Sequence, residues 1–279
     1  MRATGPTDVH EGRAAGTAVV RLAGLAADDR GENDGRAPVV FLHGLTFDRQ
    51  MWRPVTDALE RIDPGRRVLA FDLPGHGDSP GWPAYDVASL AEGVHRAVEA
   101  AALRPPVVVG HSMSAVTATV YGARYPCRGV INVDQPLEVE PFARLVRSLA
   151  DQLRGPRFPD VWKGFEASMH AELLPPAARA LVSSTCRPSQ ELVVGYWHDV
   201  LERSPEELGA WARDVLAELR ARKVPYLVVS GAELDADYRR WLAGVLPQAE
   251  TVVWPGSGHF PHLAHPDRFA RVLATGSPR

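Results

Sequence analysis

Lysine is nearly absent from this chain. Lys163 and Lys223 are the only two in 279 residues, so almost all of the 31 basic side chains are arginines. They are scattered among 34 acidic residues, the formal net charge is −3, and no basic tract or stripe occurs. A nucleic-acid or polybasic membrane role therefore has no electrostatic support, and neither partner is expected. With 24 Gly, 24 Pro and abundant Ala, the arginine content reads as codon bias rather than a binding surface. Cysteine is as scarce: Cys127 and Cys186 cannot build a disulfide framework, and two reduced thiols suit a cytosolic protein. No apolar run approaches the about 18 residues that a membrane span needs. The first residues also lack the apolar core of a signal peptide, so a cytoplasmic location and a loose tail over residues 1–15 are expected.

What is present is ordinary globular material, 45% hydrophobic and 23% charged, in a length that suits one large domain or a core with an insertion. Short apolar runs alternate with longer amphipathic stretches, which predicts a parallel sheet with helices on both faces. The strand candidates are Thr17–Leu22, Val39–His43, Arg67–Asp72, Val107–Gly110, Gly129–Asp134, Tyr226–Ser230 and Thr251–Trp254. Several are apolar throughout, as strands buried on both faces should be. Helical spacing marks Met51–Ile62, Val87–Ala102, Ser114–Arg124, Tyr238–Leu246 and Pro266–Ala274. Residues 136–224 break this rhythm with four amphipathic helical stretches and no convincing strand. A block of helices between two sheet strands is most simply a cap over one end of the sheet. The expected organisation is a core of residues 16–135 and 225–279 with a helical cap or lid at 136–224.

The strongest local signal is Gly110-His111-Ser112-Met113-Ser114, which joins the apolar run VVVG to a helix. A Ser at such a strand–turn–helix junction is forced into a strained conformation, and its hydroxyl projects above the carboxyl end of the sheet. The usual pattern is Gly-x-Ser-x-Gly; here Ser114 takes the last place and is small enough to keep the turn. Ser114 is itself a rival hydroxyl, but its place at the helix start suits a spacer or helix-start contact. Two more strand ends carry motifs, His43-Gly44-Leu45 and Asp72-Leu73-Pro74-Gly75-His76-Gly77-Asp78-Ser79. With these three in this order, the chain from about residue 17 onward resembles the α/β-hydrolase superfamily. The resemblance implies an α/β-hydrolase fold, a mostly parallel doubly wound sheet with an inserted all-helical cap. It implies Ser112 as nucleophile and an oxyanion hole from the amides of Leu45 (or Gly44) and Met113. Asp72, His76 and Asp78 belong in this family to a structural turn.

A nucleophilic serine needs a base. Of ten histidines, His259 is the best placed, on a Gly-containing loop directly after a strand. His262 and His265 follow at three-residue steps, where a helix would hold them away from the sheet end, while His10, His95, His170 and His198 read as surface or packing residues. The three neighbouring histidines make a poor metal site, because no Glu completes a helical His-Glu-x-x-His pattern. The acid that orients the imidazole is contested. The family's common position is the loop after the next-to-last strand, where Asp235 stands one residue beyond the frequent spacing, with Glu233 and Asp237 nearby. The other position is Asp134, at the end of GVINVD and before Gln135-Pro136. Asp134 is preferred, because a strand end is a rigid support. The competing role for the loop acids is to cap the following helix, which Asp237 fits best. The tail HFPHLAHPDRFARV and the Asp134-Gln135-Pro136 pattern are also similar to the lactonases that open the macrolide ring of zearalenone.

These parts imply a serine hydrolase acting through an acyl-enzyme on an ester or lactone, with no metal or cofactor. Trp162, Phe165, Tyr196 and Trp197 in the cap suggest a bulky, mainly apolar small-molecule substrate. A carbon–carbon bond hydrolase, a lyase, a cofactor-free peroxidase or a hydrolase-like receptor would use the same three residues. A monomer or homodimer is expected.

Overall fold

Strands that are apolar at every position can be satisfied only where both faces of a sheet are covered, and the molecule is built on that principle. The computed structural model describes residues 18–276; the expected tail 1–15, His10 and Thr17 lie outside them. Eight strands form one sheet in the order β1-β2-β4-β3-β5-β6-β7-β8. They are β1 (Ala18–Leu22), β2 (Leu25–Arg30), β3 (Val39–Leu42), β4 (Val68–Phe71), β5 (Val107–His111), β6 (Gly129–Val133), β7 (Tyr226–Ser230) and β8 (Ala249–Val253). The β1–β2 hairpin joins β4 antiparallel, and every later pairing is parallel.

Period-two alternation divides each strand between two cores. Val40, Leu42, Leu69, Phe71, Val108 and Val130 face one apolar cluster, and Val39, Phe41, Val68, Ala70, Val109 and Ile131 face the other. The first is covered by α2 (Val87–Ala100), α3 (Met113–Arg124) and the later helices α10 (Pro205–Ala221) and α11 (Ala236–Val245). The second is covered by α1 (Arg53–Ile62) and α13 (Pro266–Thr275), with Trp52 and Trp254 fully buried between them. A single turn, α12 (Pro261–Ala264), precedes α13.

Between β6 and α10 lie α4 (Glu140–Ser148), α5 (Ala150–Arg154), α6 (Phe158–Ser168), α7 (Pro176–Thr185), α8 (Gln190–Tyr196) and α9 (His198–Glu202). All but α7 share an apolar core that includes Val146, Leu153, Phe158, Trp162, Val193 and Leu201 and also takes in Leu45 and Leu90 from the sheet domain. The fourth helical stretch expected in the cap, α10, begins beside it but packs along α3. Its Val215, Leu216 and Leu219 enter the sheet-side core, so the insertion returns to the sheet along this helix.

Two elements had no clear signal in the sequence. Strand β2, LAADDR, carries Asp28 and Asp29, whose carboxylates pair at 2.7 Å with Arg49 and Arg67 on neighbouring segments. Helix α7, PAARALVSST, offers few large apolar residues and packs on Phe47, Met51 and Phe260 through Ala178 and Val182.

The turn after β4 is organised by a buried ion cluster. Asp72, fully buried, accepts the amides of Arg49 and Asp78 at 2.8 Å each and pairs with the Arg49 guanidinium, which also reaches Asp28 and Asp78. Removing one partner of a buried pair leaves the other desolvated and unpaired. Asp72→Ala is expected to lower stability by about 3 kcal/mol, measured as the shift in urea unfolding at neutral pH.

Candidate active site

Strand β5 ends in the elbow. Ser112 has φ 54° and ψ −136°, a region costly for a residue with a Cβ, and its amide is held by the carbonyl of Val133 at 2.9 Å. Gly110 must be glycine, because a Cβ there would lie 2.3 Å from the carbonyl oxygen of Ser114. Ser114 is fully buried, and its hydroxyl donates to the carbonyl of His43. It is therefore a tie between α3 and the end of β3, which explains why serine serves where glycine is usual.

One strand over, Asp134 repeats the device: φ is 57°, and its amide is held at 2.9 Å by the carbonyl of Val229. Its Oδ2 accepts the Nδ1–H of His259 at 2.8 Å, and its Oδ1 accepts the amide of Gly231 at 2.8 Å, with the Ser230 hydroxyl 3.1 Å away. Burial works to raise the Asp134 pKa, but the hydrogen bond and charge of His259, with the Gly231 amide, hold it below the ordinary carboxylate value. Gly231 had no signal beyond its loop position, yet a Cβ there would lie 1.8 Å from the carbonyl oxygen of Gly258, so only glycine lets the two loops meet.

The other expected acid is elsewhere. Asp235 is exposed and caps α11, accepting the amides of Asp237 at 2.7 Å and Tyr238 at 3.3 Å. The cap role expected of Asp237 thus belongs to Asp235, because α11 begins at Ala236, before Tyr238. Asp237 pairs instead with Arg240 on the surface.

The loop after β3 is shaped by two buried imidazoles. His43 accepts the Leu73 amide on Nε2 at 3.0 Å, so its proton sits on Nδ1 and is donated to the carbonyl of Gly44 at 2.8 Å. Phe47 N–H donates to the same carbonyl at 3.2 Å. In a trans peptide the N–H points opposite to the C=O, so the Leu45 amide is turned away from these donors. His76 accepts the amide of Thr46 at 3.1 Å and fixes the next peptide. Met113 is the first residue of α3, where the backbone N–H has no partner within the helix.

Ser112, Met113, Leu45, Asp134 and His259 all line one cavity of about 1100 Å³ between sheet and cap, whereas Gly44 is not part of its wall and lies against His111. Trp162, Phe165, Tyr196 and Trp197 line it too, as does Phe142. Phe165 and Phe142 meet Trp197 edge-on, with ring centroids 5.0 and 5.4 Å away. Three of these, Trp162, Tyr196 and Trp197, are at most 5% exposed, so they are cap core and cavity wall at once. The Tyr196 hydroxyl donates to the carbonyl of Pro74 at 2.7 Å, the Arg187 amide to Thr46 O at 2.7 Å, and the His259 amide to Met169 O at 2.9 Å. Among the described residues no group of three His, Cys, Asp or Glu side chains is arranged to hold a metal ion; His262 is fully buried on α12 and His265 is exposed. No helix among them is long and apolar enough to cross a membrane.

A doubly wound sheet, a strained serine after its central strand and a histidine–carboxylate pair beside it define a class of hydrolytic scaffold. A model of the alpha/beta hydrolase family matches residues 39–272, and the chain belongs to that family. It is 30% identical to the pimeloyl-[acyl-carrier protein] methyl ester esterase of Pectobacterium atrosepticum over 87% of this chain and 94% of that one. Its fold is that of an esterase from Exiguobacterium antarcticum (TM-score 0.72, 19% identity, covering 94% of this chain and 98% of that one). An enol-lactonase from Burkholderia xenovorans shares it as well (TM-score 0.68, 20% identity, 92% and 98%).

The buried histidines make the fold acid-labile. Burial pushes His43 down to about 4, His76 to about 3 and His262 to about 3, and His111 also falls well below the ordinary value. Because these values lie below that of the unfolded chain, near 6.5, the unfolded state takes up the extra protons as pH falls. The stability they allow is complete above pH 6.5 and is lost on the way down to 4 and 3. From pH 6.5 to 5 the first three together cost about 5 kcal/mol. The urea midpoint is expected to fall steeply over that interval, and a flat midpoint from pH 7 to 4.5 would contradict the assignment.

Proposed function

We propose that the protein hydrolyses an ester or lactone bond of a bulky, mainly apolar small molecule through Ser112, His259 and Asp134. The observation that carries this is the His259–Asp134 hydrogen bond in a cavity shared with the strained Ser112. Asp134 is held ionised at neutral pH, fixes the imidazole by its Nδ1–H and leaves Nε2 free to act as base.

In the first step Nε2 takes the proton of the Ser112 hydroxyl as its oxygen attacks the carbonyl carbon. The carbonyl oxygen takes the electron pair and is stabilised by the amides of Leu45 and Met113, about 3 kcal/mol for each donor. Collapse expels the alkoxide, which receives the proton from His259 and leaves an acyl group on Ser112. Water then repeats the sequence and frees the acid. A lactone would follow the same course with both products in one molecule.

The cavity argues for the substrate class. Its walls are mainly aromatic and aliphatic; besides Asp134 its lining includes the acidic residues Asp86, Glu191 and Asp199 but a single arginine, Arg154, which pairs with Glu202. Nothing in that set anchors a carboxylate, and the desolvation of an unpaired anion would count against it. The methyl ester esterase named above acts on a carrier-bound acyl chain; the apolar walls here would accommodate such a chain, and the acidic members do not favour an anionic carrier.

Ser112→Ala is expected to lower ester turnover by at least about a thousandfold and to abolish labelling by a fluorophosphonate. Turnover at the wild-type rate would sink this account. Asp134→Asn should lose about 10⁴ in kcat through the wrong tautomer of His259, whereas Asp235→Asn should leave kcat unchanged, both read from initial rates. Neutral aryl esters should be preferred over analogues carrying a free carboxylate by tenfold or more in kcat/KM, an arithmetic equivalent of about 1.4 kcal/mol.

A further inference from the structure

His111 is the residue before the nucleophile, and its imidazole plays no part in the chemistry above. It is fully buried, with ring centroids 4.8 Å from His259, 4.6 Å from His262 and 5.4 Å from Phe260. Its Nε2 lies 2.8 Å from the main-chain carbonyl oxygen of His259. A carbonyl only accepts, so the proton is on Nε2 and the ring donates it there. The other nitrogen, Nδ1, has no hydrogen-bond partner and lies against Gly44, where a Cβ would stand 2.9 Å from it. One side chain thus touches the base loop and the loop after β3, and its own backbone leads directly into Ser112.

A buried nitrogen without a hydrogen-bond partner is a cost, and a leucine of similar bulk would avoid it. What the imidazole supplies in return is the donated hydrogen bond. The main chain of His259 is otherwise held by the cap, through Met169 O, and its side chain by Asp134 at the end of β6. Without His111 the carbonyl of His259 would have no tie to the elbow. We infer that His111 is a positioning residue for the base, holding the His259 main chain in register with the Ser112 elbow and the Gly44–Leu45 loop. This rests on the reading of Ser112 and His259 as nucleophile and base.

The test compares wild type, His111→Leu and His111→Gln on a neutral aryl ester, with Ser112→Ala as the blank. Leucine removes the donor and the unpartnered nitrogen together; glutamine keeps an amide donor within reach of the carbonyl. His111→Leu is expected to lose tenfold to a hundredfold in kcat with KM little changed, the scale for a misplaced catalytic group being about a hundredfold per ångström. Fluorophosphonate labelling of Ser112 should slow in parallel. His111→Gln should recover most of both rates. Thermal unfolding of each variant sets an assay temperature well below every midpoint, so that the rates report on folded protein. Wild-type kcat in His111→Leu, an equal loss in both variants, or a loss confined to KM would each overturn the inference. If wild type itself turns over no faster than Ser112→Ala, the hydrolase reading fails first, and that outcome is separate from the other three.

Discussion

Two backbone hydrogen bonds support everything else at this site: Ser112 N–H to Val133 C=O and Asp134 N–H to Val229 C=O, each 2.9 Å. They carry the parallel ladder one residue past the ends of β5 and β6, into two residues of positive φ. Such a conformation costs about 1–3 kcal/mol and survives only where the surroundings over-determine it. Here they do, because β5 and β6 are central, apolar and covered on both faces, so the strands cannot slip. The strain turns one hydroxyl and one carboxylate out of the sheet plane at its carboxyl edge. They are set by the backbone rather than by flexible side chains, which gives a short serine and a short aspartate fixed places.

Behind that edge lies a layer of imidazoles kept neutral by burial. His43 and His76 each offer an acceptor nitrogen to a backbone amide and a donor to a carbonyl, and together they orient the loop from Gly44 to Thr46. A charged lysine or arginine could not accept, and an aliphatic side chain could do neither. The price is sensitivity to acid, since a proton added to either ring destroys the acceptor on which the loop depends. Asp72 and Arg49 brace the same region from the turn after β4, so the loop is held by a neutral network on one side and an ionic one on the other.

Hydrogen bonds stitch the cap to the core at several points, among them one on each of three loops at the cavity. Tyr196 holds the turn after β4, the Arg187 amide holds Thr46, and the carbonyl of Met169 holds His259. The helices that wall the cavity therefore also help to place the imidazole.

Much of this was legible in the residues alone. Continuous apolar runs named the buried strands, and the residues flanking Ser112 and His259 marked both loops, because each motif is short and contiguous. Strand β2 escaped because Asp28 and Asp29 interrupt its apolar character, and their partners Arg49 and Arg67 come from distant parts of the chain. Gly231, Met169 and His111 carried no local signal for the contacts they make. Local sequence likewise left Asp134 and Asp235 as rivals, each an acidic residue shortly after a strand. What separates them is the strand order: β6 lies between β5 and β7, so Asp134 meets an imidazole 125 residues away, while Asp235 is used by the amides of the helix it begins. Chain neighbours can specify a strained serine or a loop histidine. Which carboxylate meets the histidine depends on groups that only the folded sheet brings within 3 Å.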